Sequence, residues 1–452
     1  MFLRNKLARV LLLGSLGLAG TSCDKFIDVQ PQNSLAADQV FADLAGANAA
    51  LNGVYGGLTS ANYYGLRYPV FADLLADNAN HLGTFPSFAE FKNRNVQTSN
   101  VESTNMWAAI YVVINRANNV IEYTPGVAGI SDADKKRIMA EAKFVRALGY
   151  FDLVRYWGDV PLVLTATKQA DNSLNVAKTP ANAVYDQVKK DLDEAEIDLA
   201  EGSANRANKS AARALKARLA LYRGQYADAA VLADQVIATT KFSLPLAYRD
   251  VFDIKNSSES IFEVGFDIIT QSQYAFFYFP GSRGGRNEVG PLGTTLLTAY
   301  EAGDRRRPAS ISDGTFTVNS QAIPANVAIK YTRANPGEDN YRVIRLAEVL
   351  LITAEAKARV GTDLAGALTA LNRVRTRAGL PLSTAATQAA LLTAIEQERR
   401  VELAFEGHRW FDLVRTGRAQ TVLGITDPTR LLLPIPFRDI TNNPNIRQNP
   451  GY

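Results

Sequence analysis

Apolar residues recur at helical spacing along most of this chain. In the segment 105–123, the side chains of Trp107, Ile110, Ile114 and Ala117 fall on one face, as they do in an amphipathic helix. The same period predicts helices over the segments 38–58, 105–123, 131–157, 181–199, 210–222 and 226–238. We therefore predict a helical scaffold over residues 38–240.

The third of these helices carries the clearest end signals. Ser131 is followed by Asp132 and Asp134, and acidic residues are favoured at a helix N-terminus. The sequence Gly-Asp-Val-Pro at 158–161 should end the helix, because glycine and proline both interrupt helical backbone.

Two stretches of the chain share a residue pattern, as two copies of one structural repeat do. In KARLALYRGQYADAAVLADQVI a helix ends at Gly224 and another begins at once, and Gly361 has the same position in EAKARVGTDLAGALTALNRVRTRAG. Ala211, Ala214 and Ala217 put small side chains on one face, so paired helices can approach closely. The pattern predicts tetratricopeptide-like helical hairpin repeats, with generic helical hairpins as the alternative.

The helical pattern of apolar residues is absent between residues 241 and 340. The run ESIFEVGFD favours strand, and YAFFYFPGSRGGRN combines aromatic residues with proline and glycine breaks. We predict an irregular insertion of loops and short strands over 241–340. Helical periodicity returns at Tyr341, so a second part of the scaffold is expected over 341–418, followed by an irregular tail at 419–452 that packing must hold in place.

The N-terminus predicts export and lipid attachment. Arg4, Lys6 and Arg9 precede an apolar run that is too short for a membrane-spanning helix, and small residues precede Cys23. We interpret residues 1–22 as a signal peptide and Cys23 as the diacylated first residue of a bacterial lipoprotein. The alternative is an ordinary secretory signal followed by a chance cysteine.

Composition excludes several classes of function. Removing residues 1–22, which hold three basic residues and no acid, lowers the formal charge from +4 to +1, so we expect no nucleic-acid partner. Cys23 is the only cysteine and His81 and His408 the only histidines, so we expect no metal site built on cysteine or histidine ligands and no cofactor. A hydrogen-bonded structural role is expected for His408.

Charged residues in the C-terminal part suggest structure more than catalysis. Arg345 with Glu348, and Glu355 with Arg359, have the spacing of helical ion pairs. Glu398 and Glu402 could suggest a glycosidase pair, but two carboxylates one turn apart on a helix cannot flank a sugar from opposite faces. We therefore predict buried ion-pair networks and no catalytic residues.

Two aromatic regions are the candidate ligand-binding surfaces, because aromatic rings stack on sugars or bury peptide side chains. The first has Phe88 beside Tyr63, Tyr64, Tyr68 and Phe85; the second has Phe276 beside Tyr274, Phe277, Tyr278, Arg283 and Arg286. The alternative interpretation is that many of these rings belong to the core.

Several motifs in order resemble one family, the SusD/RagB nutrient-binding lipoproteins of Bacteroidetes. They are CDKFIDVQPQNS at 23–34, ALNGVYGGL at 50–58, AEAKFVRALGYFDLVRYWGDVPLV at 140–163, SAARALKARLALY at 210–222, VIRLAEVLLITAEA at 343–356, ERRVELAFEGHRWFDLVRTG at 398–417, and LLPIP with QNPGY at the end. The resemblance spans nearly all of residues 23–452, which we expect to form one SusD-like domain.

The resemblance implies a mainly α fold and a function without covalent chemistry. It implies capture of an oligomeric nutrient, most simply a glycan, at the cell surface, by a protein held in the outer membrane by a lipid anchor. It also implies delivery to a SusC-like TonB-dependent transporter as partner. A peptide-binding member of the family and a surface hydrolase are the alternatives.

Overall fold

The computed structural model describes residues 37–168 and 174–452. The predicted signal peptide and Cys23 therefore lie outside the described residues. Most of the described chain is α-helical, and the strands are short. Every helix within these ranges is too short or too polar to cross a membrane.

The helices follow one another along the chain with short connections. They are α1 (Ala37–Val40), α2 (Leu44–Leu58), α3 (Arg67–Leu75), α4 (Pro86–Lys92), α5 (Val101–Tyr123), α6 (Asp132–Trp157), α7 (Ala181–Asp198), α8 (Lys209–Tyr222), α9 (Tyr226–Ala238), α10 (Asp250–Asp253), α11 (Tyr274–Tyr278), α12 (Arg306–Ser310), α13 (Leu346–Val360), α14 (Leu364–Arg377), α15 (Gln388–Glu402), α16 (Arg409–Arg415), α17 (Ala419–Leu423) and α18 (Phe437–Asn442).

The strands form four antiparallel two-stranded sheets within the described residues. The pairs are β1 (Ala79–His81) with β5 (Val289–Pro291), β2 (Val160–Pro161) with β3 (Lys178–Thr179), β4 (Ser260–Val264) with β8 (Tyr341–Arg345), and β6 (Thr317–Val318) with β7 (Gln321–Ala322). Two of these pairs, β1 with β5 and β4 with β8, join segments that are far apart in the chain.

Local signals set the helix ends as the sequence indicates. The Ser131 side chain accepts a hydrogen bond from the Asp134 amide at the start of α6, and Gly158 ends that helix with φ +71°. At the first helix the prediction of one continuous segment over 38–58 was wrong. Asp43 breaks it by accepting a hydrogen bond from the Gly46 amide, which starts α2 at Leu44.

The tetratricopeptide-like hairpins are present. Gly224 joins α8 to α9 and Gly361 ends α13 just before α14, both in the left-handed backbone region that glycine adopts without strain. Ala211, Ala214 and Ala217 are fully buried along α8. The small alanine side chains let α8 lie against its neighbours, and the mainly helical fold with a loop-rich insertion is confirmed.

The segment at 341–345 differs from its prediction. Helical periodicity predicted a helix that begins at Tyr341. In the structure Tyr341–Arg345 is strand β8, and α13 begins at Leu346. All five residues of β8 are buried, as are all five of its partner β4, so neither segment has the alternating pattern that marks a strand. The partner lies about 80 residues earlier in the chain, at Ser260–Val264.

Buried ion pairs connect the helices to the insertion. Glu402 on α15 contacts Arg345 and Arg377 at 2.5 Å and Arg306 at 3.0 Å, and its side chain is wholly buried. Burial by itself would raise the pKa of Glu402, but Arg377, Arg345 and Arg306 hold this pKa well below its usual value. The predicted network of buried charges is confirmed for Glu398 and Glu402, since Arg306 bridges both carboxylates.

One predicted pair is replaced by longer-range partners. Arg345 does not pair with Glu348, because Arg345 ends a strand and its guanidinium points to Glu402 and Glu406. Glu348 instead pairs with Arg218 on α8 at 2.5 Å. The Glu355 and Arg359 pair is present, at 3.6 Å.

The C-terminal tail packs against the end of α6. The Leu433 amide donates to the Tyr156 carbonyl at 2.8 Å, and the Trp157 indole donates to the Pro434 carbonyl at 3.1 Å. The Asn449 amide group donates to the carbonyls of Trp157 and Leu433, each at 2.8 Å. These bonds hold the tail in place. The prediction of a wholly irregular tail was wrong, because it contains the short helices α17 and α18.

The network predicts a large stability effect for Glu402→Gln. The substitution removes the negative charge that compensates three buried guanidinium groups, so the free energy of unfolding should fall by about 3–5 kcal/mol. Urea denaturation followed by circular dichroism measures the change. Glu194→Gln is the control, because its pair with Lys143 is at the surface and should contribute less than about 1 kcal/mol. Equal losses in the two variants would contradict the account.

Candidate functional site

The pairing of β1 with β5 brings the two predicted aromatic regions together. His81 lies opposite Val289 in the register, so the residues that follow β1 are adjacent to those that precede β5. The Leu82 amide donates to the Glu288 carbonyl at 2.9 Å, and the Glu288 amide donates to the Phe277 carbonyl at 2.9 Å. Short backbone bonds therefore fix two loops that are about 200 residues apart in sequence.

The carboxylate of Glu288 is the centre of this junction. It accepts hydrogen bonds from the Phe85 amide at 2.7 Å and from Arg286 Nε at 3.1 Å, and it lies 2.9 Å from His81 Nε2. Its side chain is only 1% exposed. Burial would raise the pKa of Glu288, but these hydrogen bonds outweigh burial and lower it, so the carboxylate is charged at neutral pH.

Gly83 leaves the space that the Glu288 carboxylate occupies. A Cβ atom at position 83 would lie 2.3 Å from the carboxylate carbon of Glu288. Real Cβ atoms do not approach other atoms this closely, and the carboxylate is held in place by three polar neighbours. A glycine is therefore required where the first loop crosses Glu288.

The rings on this junction form a surface that we call the aromatic patch: Phe85, Phe88, Phe276, Phe277 and Arg286. Phe88 and Phe277 stack with ring centroids 5.6 Å apart, and Phe85 lies 6.5 Å from Phe277. The Arg286 guanidinium lies 3.8 Å from the centroid of the Phe85 ring. Phe88 is buried beneath the others, whereas Phe85, Phe276 and Phe277 are half-buried and Arg286 is exposed.

The patch has the chemistry of a surface that binds amphipathic ligands. Half-buried rings can cover the apolar face of a sugar, and a fixed guanidinium can donate hydrogen bonds to hydroxyl or carboxylate oxygens. Because Glu288 and the Phe85 ring already hold Arg286, its side chain loses little freedom when a ligand binds.

Arg283 lies near the patch in sequence but has a different role in the structure. Its Nε donates to the Ala322 carbonyl at 2.7 Å, and its Nη1 donates to the Ser282 carbonyl at 2.9 Å. Ala322 belongs to β7. Arg283 therefore connects its own turn to the β6–β7 hairpin.

Five of the predicted ligand-binding residues lie in the core, and the structure corrects their placement. They are Tyr63, Tyr64, Tyr68, Tyr274 and Tyr278, each at most 2% exposed. Their rings pack on one another and on neighbouring aromatic rings. A sugar or peptide cannot reach them in this structure.

For two of these residues, Tyr63 and Tyr64, a single carboxylate on α6 accounts for the burial. Tyr63 and Tyr64 donate their hydroxyl hydrogens to Asp152 Oδ2 at 2.5 and 2.6 Å, and Arg155 contacts the other oxygen of Asp152 at 2.5 Å. Asp152 is fully buried, so these groups must satisfy its charge. The tyrosines are the donors that make a buried carboxylate possible.

Sequence reasoning missed Glu288, His81 and Gly83 as parts of the site. Glu288 was one acid in a polar loop, and no local spacing links it to His81 or Gly83. The residues that follow Glu288, Val-Gly-Pro, gave no strand signal, because glycine and proline are disfavoured in strands. The significance of Glu288 depends on a pairing partner that lies far away in the chain.

The residues considered for catalysis are enclosed by protein. Glu398 and Glu402 are buried against Arg306. His408 is buried as well, and burial lowers its pKa to about 4, so it is neutral at physiological pH. Its Nδ1 atom has no hydrogen-bond partner, so the expected hydrogen-bonded role does not hold for that atom. Within the part of the chain that the structure describes, no three histidine, cysteine or acidic residues are grouped to hold a metal ion.

Comparison with known proteins gives consistent matches along the chain. The family described as "Starch-binding associating with outer membrane" matches residues 25–221, and the SusD family matches residues 312–452. SusD-like protein P2 of Formosa agariphila is 29% identical, and the match covers 98% of each chain.

Solved structures have the same fold. A SusD superfamily protein of Bacteroides thetaiotaomicron is 26% identical and superimposes with a TM-score of 0.81, covering 90% of this chain and 100% of that one. A laminarin-binding SusD-like protein is 27% identical with a TM-score of 0.78, covering 91% of this chain and 100% of that one. The surface glycan-binding protein A of Bacteroides fluxus has a TM-score of 0.77 at 24% identity, a likeness of fold alone.

Proposed function

Because the chain belongs to the SusD/RagB family, whose members are binding proteins, we propose that it captures an oligosaccharide on the aromatic patch. The observation that carries the proposal is the group of half-buried rings and a fixed guanidinium around Glu288. The laminarin-binding relative supports a glycan as the ligand class.

The geometry of the patch suits a glycan. The stacked and offset rings give a broad apolar surface, and Arg286 gives one oriented donor at its edge. Sugar binding needs such a combination because the apolar ring face must be desolvated while the hydroxyl groups keep hydrogen bonds. Such a surface needs no catalytic group, and we propose a binding role without turnover.

Removal of one ring tests this proposal. Phe277→Ala should weaken oligosaccharide binding about tenfold, because the Phe277 ring neighbours each of the other three rings of the patch, with centroids at most 6.5 Å apart. Isothermal titration calorimetry of the purified protein against neutral glycans, acidic glycans and peptides measures the change.

Phe437→Ala is the matched control for that experiment. Phe437 is 60% exposed at the start of α18 and lies outside the patch, so its loss should leave affinity unchanged. Tight binding of peptides but of no glycan would support the peptide alternative instead. Turnover of oligosaccharide by the purified protein would support the hydrolase alternative.

We further propose that the protein is anchored through Cys23 in the outer membrane, faces the cell surface and passes its cargo to a SusC-like TonB-dependent transporter. One acyl chain gives only marginal membrane binding, whereas two or more keep a protein on the membrane. A protein tethered in this way stays close to a transporter in the same membrane, which raises its effective concentration there.

Radiolabelled palmitate tests the anchor. Label should attach to the wild-type protein and be lost in Cys23→Ser, because no other thiol is present in the chain. Affinity purification from native envelopes should recover a β-barrel transporter with the wild-type protein. Label in the Cys23→Ser variant, or the absence of any transporter from the purified material, would contradict this part of the proposal.

A further inference from the structure

A second cleft lies between α15, the end of α13 and the segment α16–α17. Its volume is about 560 Å³, and it shares no residue with the aromatic patch. Six arginines line it, namely Arg359, Arg399, Arg400, Arg409, Arg415 and Arg418, together with four acids, namely Asp77, Glu355, Glu396 and Asp412. We call this feature the arginine cleft.

The charged groups of the cleft form two rows. In the first, Asp77 lies between Arg400 at 3.0 Å and Arg409 at 2.8 Å, and Glu396 lies between Arg409 at 3.4 Å and Arg418 at 3.2 Å. The row therefore begins and ends with an arginine. Three positive charges face two negative charges.

The second row repeats this arrangement. Asp412 lies between Arg399 at 2.9 Å and Arg415 at 2.8 Å, and Glu355 lies between Arg415 at 2.7 Å and Arg359 at 3.6 Å. The nearby acid Glu348 does not balance this row, because Arg218 holds it at 2.5 Å. Each row thus has one positive charge that no carboxylate in the cleft compensates.

Hydrogen bonding is incomplete in the same place. Arg399 donates hydrogen bonds from Nε and Nη2 to Asp412. Its side chain is only 4% exposed, and its buried Nη1 atom has no hydrogen-bond partner. Nε of Arg359 is also buried and unpaired. A buried guanidinium donor without an acceptor is unfavourable, so an added acceptor would stabilise the cleft.

We propose that the arginine cleft binds an oxyanion, either a free inorganic anion or the carboxylate or sulfate group of an acidic sugar. Guanidinium groups bind such oxygens through strong charge-assisted hydrogen bonds. An oxyanion in the cleft would balance the excess positive charge of the two rows and would place acceptor oxygens beside Arg399 and Arg359, which both line the cleft. The volume of the cleft is sufficient for a monosaccharide-sized ligand.

Titration of the purified full-length protein tests the site. Calorimetry uses two probes, sodium sulfate and a uronic-acid disaccharide, at constant ionic strength. Saturable binding of sulfate alone identifies a free anion as the ligand, and tighter binding of the disaccharide identifies an acidic sugar. Both results support the site, and no saturable binding of either probe overturns it.

Two substitutions with opposite expected effects locate the binding. E396Q removes the carboxylate that Arg409 and Arg418 share, so binding of the probe should tighten about fivefold. R418Q removes an arginine that is 49% exposed and should weaken binding about fivefold. Tighter binding by E396Q cannot come from a damaged fold, because damage to the fold would weaken binding.

R137Q is the matched control. Arg137 is 40% exposed and paired with Asp134 and Glu141 on α6, away from the residues that line the cleft. Its substitution should leave probe affinity unchanged. Equal effects of R137Q and R418Q, or no tightening in E396Q, would overturn the proposal. Neutral-glycan binding depends on Phe277 and not on Arg418, so failure of this proposal is distinguishable from failure of the aromatic patch.

Discussion

The pairing of buried arginines with buried carboxylates is the constraint on which the rest of this structure depends. Glu402 alone joins the insertion through Arg306, the central β4–β8 pair through Arg345, and the helical hairpins through Arg377. A buried charge without its partner would cost several kcal/mol, so these segments can pack together only in the arrangement that satisfies all of them. The insertion is therefore part of the scaffold.

The aromatic patch also depends on a buried carboxylate that binds an arginine, namely Glu288 with Arg286. Glu288 connects Phe85 to Arg286 through hydrogen bonds that join residues 203 positions apart in the chain. The helices supply a rigid support, and the loops that they hold supply the rings. A binding surface built in this way can vary in its loops without any change in the helical core.

Much of the fold could be predicted from local sequence, because helices are local structures. Ser131 caps the start of α6, Gly158 ends it, and Gly224 makes the turn of a helical hairpin. Strand β8 could not be predicted in this way, since its pairing partner β4 is remote and both are buried on both faces.

The site was harder to predict than the fold. Aromatic composition indicated the two loops that the structure brings together, but it could not distinguish the half-buried Phe277 from Tyr64 in the core. That distinction depends on Asp152, whose buried charge the tyrosine hydroxyls satisfy. The importance of Glu288 likewise depends on a strand pairing, and no spacing in the sequence reveals it.

We propose that the buried carboxylate of Glu288 fixes the rings and the guanidinium of the aromatic patch in the arrangement that a ligand needs. Calorimetry of glycan binding to Glu288→Gln tests this claim most directly, with thermal unfolding as the check that the scaffold is intact. We expect the Glu288→Gln protein to fold and to bind glycan about tenfold more weakly, because Arg286 loses its charged partner. Unchanged affinity in a folded Glu288→Gln protein would contradict it.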